Sequence, residues 1–325
     1  MRIFALNSSK AFGERVCESL ALDLSPHEER LFEDGEHKFR PLISVRGKDA
    51  YVIQSLFGEP GLSVNDKLAQ VLFFAGAVRD AGAARVTAVI PYLAYSRKDR
   101  RTKPRDPLTT RYIAQFFEAM GVDAVMTIDV HNISAFENAF GARAIHLDSR
   151  KVFGTHFSER LGDEQIVVAS PDPGGVKRAQ LFRETFEIIT GRPTGFAFLE
   201  KRRSGGTVTG DLMAGDVADA TVVIIDDLIS TGGTMARAAK AFRNAGARKV
   251  YAVAAHGLFV GNAGEAVTDP NIEKTVITDT VPPLKLQKDV IAQHIEIVSA
   301  APLFAEAIRR LHHNGSITEL LEGTT

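Results

Sequence analysis

The residues best suited to chemistry lie in one stretch of the chain, Val222–Thr234. Four apolar residues meet two acids, Asp226 and Asp227, and a short turn then leads into Thr-Gly-Gly-Thr and a helical pattern. In a parallel sheet, ligands bind at the carboxyl ends of strands. Glycines allow close approach of the backbone, and a helix N-terminus favours an anion, so the turn is expected to hold a phosphate group. The phosphate-binding candidates are Ser230, Thr231, Gly232, Gly233 and Thr234.

The acid pair indicates what accompanies the phosphate. Two adjacent carboxylates beside a phosphate would repel it unless they bind something else, and the natural partners are the 2- and 3-hydroxyls of a ribose or a metal ion. Asp226 and Asp227 together with the turn are therefore interpreted as a site for a ribose phosphate. An ordinary acidic turn at the start of a helix is the simpler alternative.

A second candidate segment, Ile90–Arg101, follows a strand-like run and carries four basic residues around one acid. A cluster of this kind can neutralise a polyphosphate, because charge-assisted hydrogen bonds to phosphate oxygens are strong. A solvated charged loop is the simpler alternative. The residues singled out here are Arg97, Lys98, Asp99 and Arg100.

Three shorter motifs carry further polar side chains. Asp129 and His131 end a strand-like run, and alternation along a strand would place both on one face. Asp172 precedes a Pro-Gly-Gly turn, which read alone is a plain surface turn. Lys201 and Arg203 open a basic, glycine-bearing stretch, where extended backbone would again place them on one face.

Taken in order, these motifs resemble the ribose-phosphate diphosphokinase family. Val222–Thr234 is similar to the phosphoribosyl-diphosphate binding motif that this family shares with type I phosphoribosyltransferases. Ile90–Arg101 resembles the family's nucleotide segment, which ordinary phosphoribosyltransferases lack. The resemblance spans nearly the whole chain, as far as Val298–Ile308. It implies an enzyme that transfers the diphosphoryl group of ATP to the C1 hydroxyl of ribose 5-phosphate.

The resemblance also implies roles for single residues. His131 would contact ATP and metal-bound phosphate and Asp172 would hold Mg²⁺, so both are metal-site candidates, whereas Asp129 is the weaker candidate. Lys201 and Arg203, in a mobile catalytic loop, would meet the transferring phosphoryl group as catalytic residues. The basic segment would bind ATP.

A further segment, Leu31–Glu36, resembles the part of the family that reaches the adenine of a neighbouring subunit's ATP. Phe32 would stack on the base, and Asp34 and Glu36 would form hydrogen bonds with it. The implied assembly is a homo-oligomer, a dimer or larger, with an ATP site shared between subunits.

Several positions depart from the family pattern. Ser230 stands where many bacterial members have an acid, and Lys98 stands where glutamine is common. Ser204-Gly205-Gly206 replaces a Pro- and Arg/Lys-rich continuation of the catalytic loop. The stretch Arg101–Pro107 is shorter than the segment that bears allosteric control in phosphate-activated members, so regulation by phosphate and ADP stays open.

Two alternatives remain. A salvage phosphoribosyltransferase would share the ribose-phosphate turn but would lack the basic segment. A non-catalytic regulatory homologue would be expected to have lost residues such as Lys201, Arg203, His131 or Asp172, and all four are present.

The elements that must position these residues follow from hydrophobic patterning. Continuous Val- and Ile-rich runs are typical of strands covered on both faces: Tyr51–Ile53, Val86–Ile90, Ala124–Ile128, Ile166–Val168, Thr221–Ile225 and Val250–Ala254. Helical patterns lie between them, at Asp66–Asp80 and Met235–Ala245 for example. Alternating strands and helices predict an α/β fold with a mainly parallel sheet.

The chain also resembles itself. Ala81–Val89 recurs as Ala245–Val253, and each copy is expected to end a helix and begin a strand. With the family resemblance, this predicts two similar phosphoribosyltransferase-like domains. The predicted boundaries are residues 1–145, on the ATP side, and 146–325, on the ribose 5-phosphate side, with the last helix able to pack back on the first domain.

Bulk properties exclude several classes of protein. A net charge of −1 over 325 residues gives no field that would attract nucleic acid or a membrane, and no basic-aromatic pattern is present. No uninterrupted apolar stretch reaches the roughly 18 residues that a membrane span needs. The single cysteine, Cys17, cannot form an intrachain disulfide, and the first residues do not follow a secretory pattern, so a cytoplasmic location is expected.

Overall fold

The computed structural model describes residues 1–204 and 207–322, and the side chains of residues 201–211 lie outside that description. The chain divides into two compact units, Met1–Asp148 with Ala300–Thr325, and Ser149–Ser299. The second unit thus ends before the C-terminus, whereas the predicted second domain ran on to residue 325. No described helix is both long and apolar enough to cross a membrane.

In the described part of the first unit, five parallel strands form a sheet in the order β1-β4-β5-β6-β7, and β2 and β3 form a separate antiparallel hairpin. The strands are β1 (Arg2–Ala5), β2 (His27–Leu31), β3 (His37–Pro41), β4 (Asp49–Ile53), β5 (Arg85–Val89), β6 (Ala124–Ile128) and β7 (Arg143–Leu147). The helices are α1 (Lys10–Leu20), α2 (Val64–Asp80), α3 (Thr109–Ala119), α4 (Ile133–Ala139), α10 (Ala301–His312) and α11 (Ile317–Glu322).

The second unit has one sheet among its described residues, in the order β10-β9-β8-β11-β12-β13-β14, with β10 antiparallel and the other pairs parallel. Its strands are β8 (Ile166–Ser170), β9 (Gly195–Ser204), β10 (Thr207–Ala214), β11 (Thr221–Ile229), β12 (Lys249–Gly257), β13 (Lys274–Thr278) and β14 (Ile295–Val298). Its helices are α5 (Arg150–Leu161), α6 (Val176–Thr190), α7 (Gly233–Asn244), α8 (Ala263–Val267) and α9 (Lys288–His294).

The two units repeat one order of elements, and this confirms the predicted pair of similar α/β domains. In each, a strand and a helix precede a two-stranded hairpin, and strands and helices then alternate through four more strands. The self-similar segments occupy matching places, α2 to β5 and α7 to β12. Gly82 and Gly246 follow the two helices with φ of 89° and 95°, a left-handed conformation that glycine adopts without strain.

The predicted strands are confirmed because the sheets are covered on both faces. Every residue of β6 and β8 is buried, as are Thr221–Ile225 of β11. In the second unit, one apolar cluster includes Met235 and Phe242 of α7, and another includes Phe182 and Phe186 of α6. Burial of the continuous Val and Ile runs stabilises the strands inside the sheet, and it therefore determines where the polar residues at the strand ends lie.

Helix α10, the last long helix of the chain, is anchored within the first unit by a polar network. Asp49 at the start of β4 accepts hydrogen bonds from Arg85 Nε at 2.9 Å, Tyr51 Oη at 2.8 Å and His312 Nδ1 at 2.9 Å. Burial by itself would raise the pKa of Asp49, but the bonds from Arg85, His312 and Tyr51 outweigh burial and hold that pKa below its usual range. The network supports the predicted return of the last long helix to the first domain.

Candidate active site

The strand that carries the acid pair was predicted to end at Asp226 and Asp227, and that boundary was wrong because the strand continues past both acids. β11 continues to Ile229 because β12 pairs with it as far as Gly257, with Asp226 opposite Ala254. Its other neighbour, β8, pairs only as far as Ile224. Beyond that point β11 pairs with β12 alone among the described strands, so the acids lie where the sheet has lost one of its ladders.

Alternation along β11 gives the two acids different surroundings. The side chain of Asp226 is 23% exposed and that of Asp227 is 5% exposed. Burial and the neighbouring charge of Asp227 raise the pKa of Asp226 to about 8. Asp226 Oδ1 also accepts a hydrogen bond from the backbone N–H of Asp227 at 2.9 Å. Asp226 is therefore a partly open carboxyl group that ionises with difficulty.

Sequence reasoning missed the cation that serves this pair. Arg178 Nη1 lies 3.3 Å from Asp226 Oδ1 and 3.6 Å from Asp227 Oδ1. Arg178 is the third residue of α6, and a cation in a first helical turn is disfavoured by the helix dipole. That unfavourable placement was the available signal that Arg178 has an anionic partner. The positive charge of the guanidinium offsets the charge of the two acids, which explains how they can lie near a phosphate site.

The turn predicted to bind phosphate begins α7. Gly232 is the residue before the helix, with φ of 77° and ψ of −11°, and no side chain caps the first turn. The first turn of α2 differs, because Ser63 and Asp66 bond reciprocally to its backbone N–H groups. The backbone donors at the start of α7 thus have no such protein acceptor in the described part of the chain, which suits an anionic ligand.

The polar residues of this turn are accessible, and the loop after β12 holds it in place. Thr231 and Gly233 are exposed, and Ser230 and Thr234 are partly exposed. The carbonyl of Ser230 accepts a bond from Val260 N–H at 2.9 Å. The five residues predicted to bind phosphate therefore lie together at the carboxyl end of β11.

Asp172 lies at the same edge of the second sheet. It follows β8, and its Oδ1 accepts bonds from the N–H groups of Gly174 at 2.9 Å and Gly175 at 3.2 Å. An added Cβ on Gly175 would lie 3.9 Å from the carbonyl oxygen of Ile225, next to the acid pair. Both bonds use Oδ1, so Oδ2 can serve a cation. Among the described residues, no group of three or more His, Cys, Asp and Glu could hold a metal by itself.

In the first unit, one hydrogen bond joins two of the predicted ATP-binding segments. Asn132 Nδ2 donates to Asp99 Oδ2 at 2.7 Å, and Asn132 also caps α4 by accepting from Ala135 N–H. The basic segment and His131 are therefore neighbours at the carboxyl ends of β5 and β6. Arg97, Lys98, Arg100 and His131 are exposed, and Asp99 is half-buried.

The backbone of the basic segment is fixed by the start of α3. The hydroxyl oxygen of Thr110 lies 3.0 Å from the carbonyl oxygen of Tyr95 and 3.1 Å from that of Lys98, and its one proton is shared between them. Lys98 Nζ lies 3.9 Å from Asp106, which also accepts bonds from the backbone N–H groups of Thr102 and Lys103. Positive side chains on an ordered turn favour the interpretation as a polyphosphate-binding segment over the interpretation as a solvated loop.

The prediction that Asp129 and His131 share a strand face was wrong. β6 ends at Ile128, and Asp129 has a φ of 45°, in the left-handed region. This conformation turns the chain out of the sheet, so strand alternation no longer applies. His131 is placed by the turn and by the cap of α4 instead.

Phe32, Asp34 and Glu36 occupy the tip of the β2–β3 hairpin. The backbone N–H of Phe32 donates to the carbonyl of Glu36 at 2.7 Å, and the guanidinium of Arg30 lies 4.8 Å from the centre of the Phe32 ring. Asp34 and Glu36 are exposed, and Phe32 is partly exposed. The three side chains are thus close in space, at a tip that a second molecule can approach.

Lys201 and Arg203 were predicted in a loop, but their backbone belongs to β9. β10 pairs with this part of β9, with Lys201 opposite Asp211 and Arg203 opposite Val208, and that pairing gives it extended geometry. The side chains of both residues lie outside the described part, as do Gly205 and Gly206 entirely.

Asp226→Asn is expected to change how stability depends on pH. The folded state keeps a proton on Asp226 that the unfolded chain loses, so this contribution to stability is full below pH about 4 and is lost as pH rises through about 8. Asparagine does not titrate, so the difference in Tm, variant minus native, should increase from pH 4 to pH 8. Scanning calorimetry of the unliganded protein measures it.

The exposed Asp163 serves as the matched control, since its side chain is fully accessible to solvent. Asp163→Asn is expected to give a Tm difference that varies little over the same pH range. A flat profile for Asp226→Asn as well would contradict the raised pKa of Asp226.

Comparison with known proteins identifies relatives of the whole chain. Residues 1–121 match the model of the N-terminal domain of ribose phosphate pyrophosphokinase, and residues 205–322 match the phosphoribosyl synthetase-associated domain. The chain is 37% identical to a ribose-phosphate pyrophosphokinase of Caldanaerobacter subterraneus over 98% of its own length and 97% of that protein's length. It is 35% identical to that of Listeria ivanovii, with 99% and 97% covered.

A solved structure agrees with these relatives. The crystal structure of phosphoribosylpyrophosphate synthetase from Mycobacterium smegmatis matches with a TM-score of 0.85 and 30% identity, over 97% of this chain and 99% of that one. The similarity therefore extends over both units and through the segments that carry the candidate site.

Proposed function

The chain belongs to the ribose-phosphate pyrophosphokinase family, and on that premise we propose how its residues divide the reaction. It is an enzyme that transfers the diphosphoryl group of ATP to the C1 hydroxyl of ribose 5-phosphate, giving 5-phosphoribosyl 1-diphosphate and AMP. The observation that carries the assignment of the second substrate is the acid pair, held by Arg178, beside the uncapped start of α7.

Ribose 5-phosphate binds in the second unit. Backbone N–H groups and hydroxyls of Ser230–Thr234 bind the 5-phosphate, because the start of α7 presents donors and a favourable dipole to an anion. Asp226 and Asp227 form hydrogen bonds with the ribose 2- and 3-hydroxyls. Ser230 keeps a hydroxyl donor where other members have an acid, so binding of phosphate survives the difference.

ATP binds to the first unit. Arg97, Lys98 and Arg100 neutralise its phosphates, and Asp99, held by Asn132, keeps the segment beside His131. His131 contacts the phosphates. Phe32, Asp34 and Glu36 at the hairpin tip bind the adenine of an ATP held by a neighbouring subunit, so the active assembly is a homo-oligomer of at least two chains.

The transfer step requires little covalent chemistry from the protein. The C1 oxygen forms a bond to the β-phosphorus of ATP, the bond from that phosphorus to the α,β-bridging oxygen breaks, and AMP leaves with the electron pair. Positioning and neutralisation of charge supply most of the catalysis in reactions of this kind. Lys201 and Arg203 stabilise the negative charge that develops on the β-phosphoryl and leaving groups.

The donor set fits Mg²⁺ as the cofactor. Oδ2 of Asp172 is a hard oxygen ligand, and Mg²⁺ keeps several waters and is completed by substrate phosphates, so one carboxylate suffices. His131 would contact the phosphates that the metal binds. When bound, Mg²⁺ neutralises the phosphates of ATP. A cytoplasmic location agrees with the single, buried and free Cys17.

The test is incubation of the protein with ATP, Mg²⁺ and ribose 5-phosphate. AMP and 5-phosphoribosyl 1-diphosphate should appear in equal amounts by chromatography and ³¹P NMR, and omission of ribose 5-phosphate or excess EDTA should abolish both. Parallel reactions with and without phosphate and ADP report regulation.

Two outcomes would overturn the assignment. Release of diphosphate from 5-phosphoribosyl 1-diphosphate and a nucleobase, without AMP from ATP, would indicate a phosphoribosyltransferase. Failure of both reactions, with activity restored only by an active homologous subunit, would indicate a regulatory subunit.

A further inference from the structure

Arg178 contacts both acids of the ribose site, and the contact is asymmetric. Its Nη1 lies 3.3 Å from Asp226 Oδ1 and 3.6 Å from Asp227 Oδ1. Asp226 Oδ1 also accepts the N–H of Asp227 at 2.9 Å. Two donors thus contact one oxygen of Asp226, and they limit the rotation of its carboxyl group.

The backbone at Arg178 is held in place because α6 packs against the sheet. Ala179, Phe182 and Phe186 of the same helix are buried in the apolar cluster on one face of the second sheet. The helix follows directly from the turn that Asp172 caps. The side chain of Arg178 is 22% exposed, so it is not part of the core.

A cation in this place has two consequences for a phosphorylated sugar. It offsets the charge of the acid pair, so that an anionic substrate can approach. It also contacts both acids and orients them, and a sugar hydroxyl can accept a hydrogen bond from a protonated carboxyl group or donate one to an ionised carboxylate. A site built to bind a sugar hydroxyl loses much of its affinity for an analogue without that group, because a polar group of the site is left without its hydrogen bond.

We propose that Arg178 is a positioning residue that sets the preference for ribose 5-phosphate over 2-deoxyribose 5-phosphate by orienting Asp226 and Asp227. The inference rests on the proposed function, since it concerns the same sugar site. Arg178 touches neither the β-phosphoryl group nor ATP in this scheme, so its effect falls on the binding of the sugar and not on the transfer step.

The experiment compares Arg178→Met, Arg178→Lys and the matched control Arg183→Met. Arg183 is on the same helix, pairs with Glu187 at 4.0 Å and lies 5.7 Å from the ring centre of Phe196. KM and kcat are measured by release of AMP at saturating Mg²⁺ and ATP, with ribose 5-phosphate and with 2-deoxyribose 5-phosphate. Titration calorimetry measures binding of each sugar phosphate without turnover.

Arg178→Met should raise KM for ribose 5-phosphate by about tenfold or more, with a smaller change in kcat, and should narrow the discrimination against the deoxy sugar. Arg178→Lys should restore part of that discrimination, because lysine supplies the charge but not the planar fork. Arg183→Met should keep the native ratio. Circular dichroism identifies any variant that does not fold. If Arg178→Met does not fold, the ratio of KM for 2-deoxyribose 5-phosphate to KM for ribose 5-phosphate in Arg178→Lys tests the inference.

The inference would be overturned if Arg178→Met and Arg183→Met showed the same preference for ribose 5-phosphate over 2-deoxyribose 5-phosphate. An equal loss of affinity for both sugar phosphates in Arg178→Met would also overturn it, since that result indicates a general loss of charge or of packing. A native protein that releases no AMP would instead overturn the proposed function, and calorimetric binding would still decide the role of Arg178.

Discussion

Lys201→Ala is expected to lower kcat by about 10²- to 10³-fold and to leave KM for ribose 5-phosphate within about threefold of the native value. The reason is that Lys201 stabilises negative charge on the β-phosphoryl and leaving groups, and this charge is greater in the transition state than in the bound substrates. An interaction made only in the transition state changes kcat, whereas one made equally in both states changes KM. Steady-state release of AMP at varied ribose 5-phosphate measures both parameters.

The control is Lys240→Ala, which removes an exposed lysine in the last part of α7. It should leave both parameters unchanged. Lys201→Arg separates charge from geometry, since arginine keeps the charge but distributes it over a planar fork. Near-normal turnover in Lys201→Ala would remove the residue from the mechanism, and a large rise in KM alone would assign it to substrate binding.

Gly232→Ala is expected to raise KM for ribose 5-phosphate by about 100-fold, because a displacement of about 1 Å in a positioning element can have an effect of that size. An added Cβ would lie 2.5 Å from Cβ of Ala266, and the φ of 77° is strained for any residue with a Cβ. The left-handed conformation alone costs roughly 1–2 kcal/mol in stability. The phosphate-binding turn must therefore shift.

Two further variants test this explanation. Gly264 lies in α8, as does Ala266. Gly264→Ala adds a methyl group with no described atom within 4 Å beyond its own turn of helix and at a position without positive φ, so activity should stay native. The double variant Gly232→Ala with Ala266→Gly removes the contact but not the backbone strain, so it should recover part of the affinity. Unchanged binding of ribose 5-phosphate in Gly232→Ala would contradict the role of this turn.

The sequence predicted the framework because its physical cause is local. A strand covered on both faces must be apolar at successive positions, so the runs that became β4, β5, β6, β8, β11 and β12 could be recognised one by one. The buried stripes of α2 and α7 follow from helical periodicity in the same way. The phosphate-binding turn was recognisable because glycine and hydroxyl residues between a strand and a helix serve few purposes together.

Some features lay beyond sequence reasoning because they depend on what a distant segment does. Lys67 falls within an amphipathic pattern, yet its side chain is fully buried, with Nζ 2.8 Å from Glu59 and 3.3 Å from the ring centre of Phe57. Asp49 and His312 are 263 residues apart and meet at 2.9 Å. Nothing in the neighbouring residues specifies either partner.

The candidate site shows the same division. The residue types of the acid pair, the phosphate-binding turn and the basic segment were determined by the sequence itself. Only the tertiary structure decided that β11 runs past the acids, since that depends on pairing with β12, and that Arg178, 48 residues away, holds them. Local patterns determine which elements form, whereas long-range pairing and burial decide which charged groups come into contact. The proposed binding of ribose 5-phosphate depends on one such contact, between Arg178 and the acid pair.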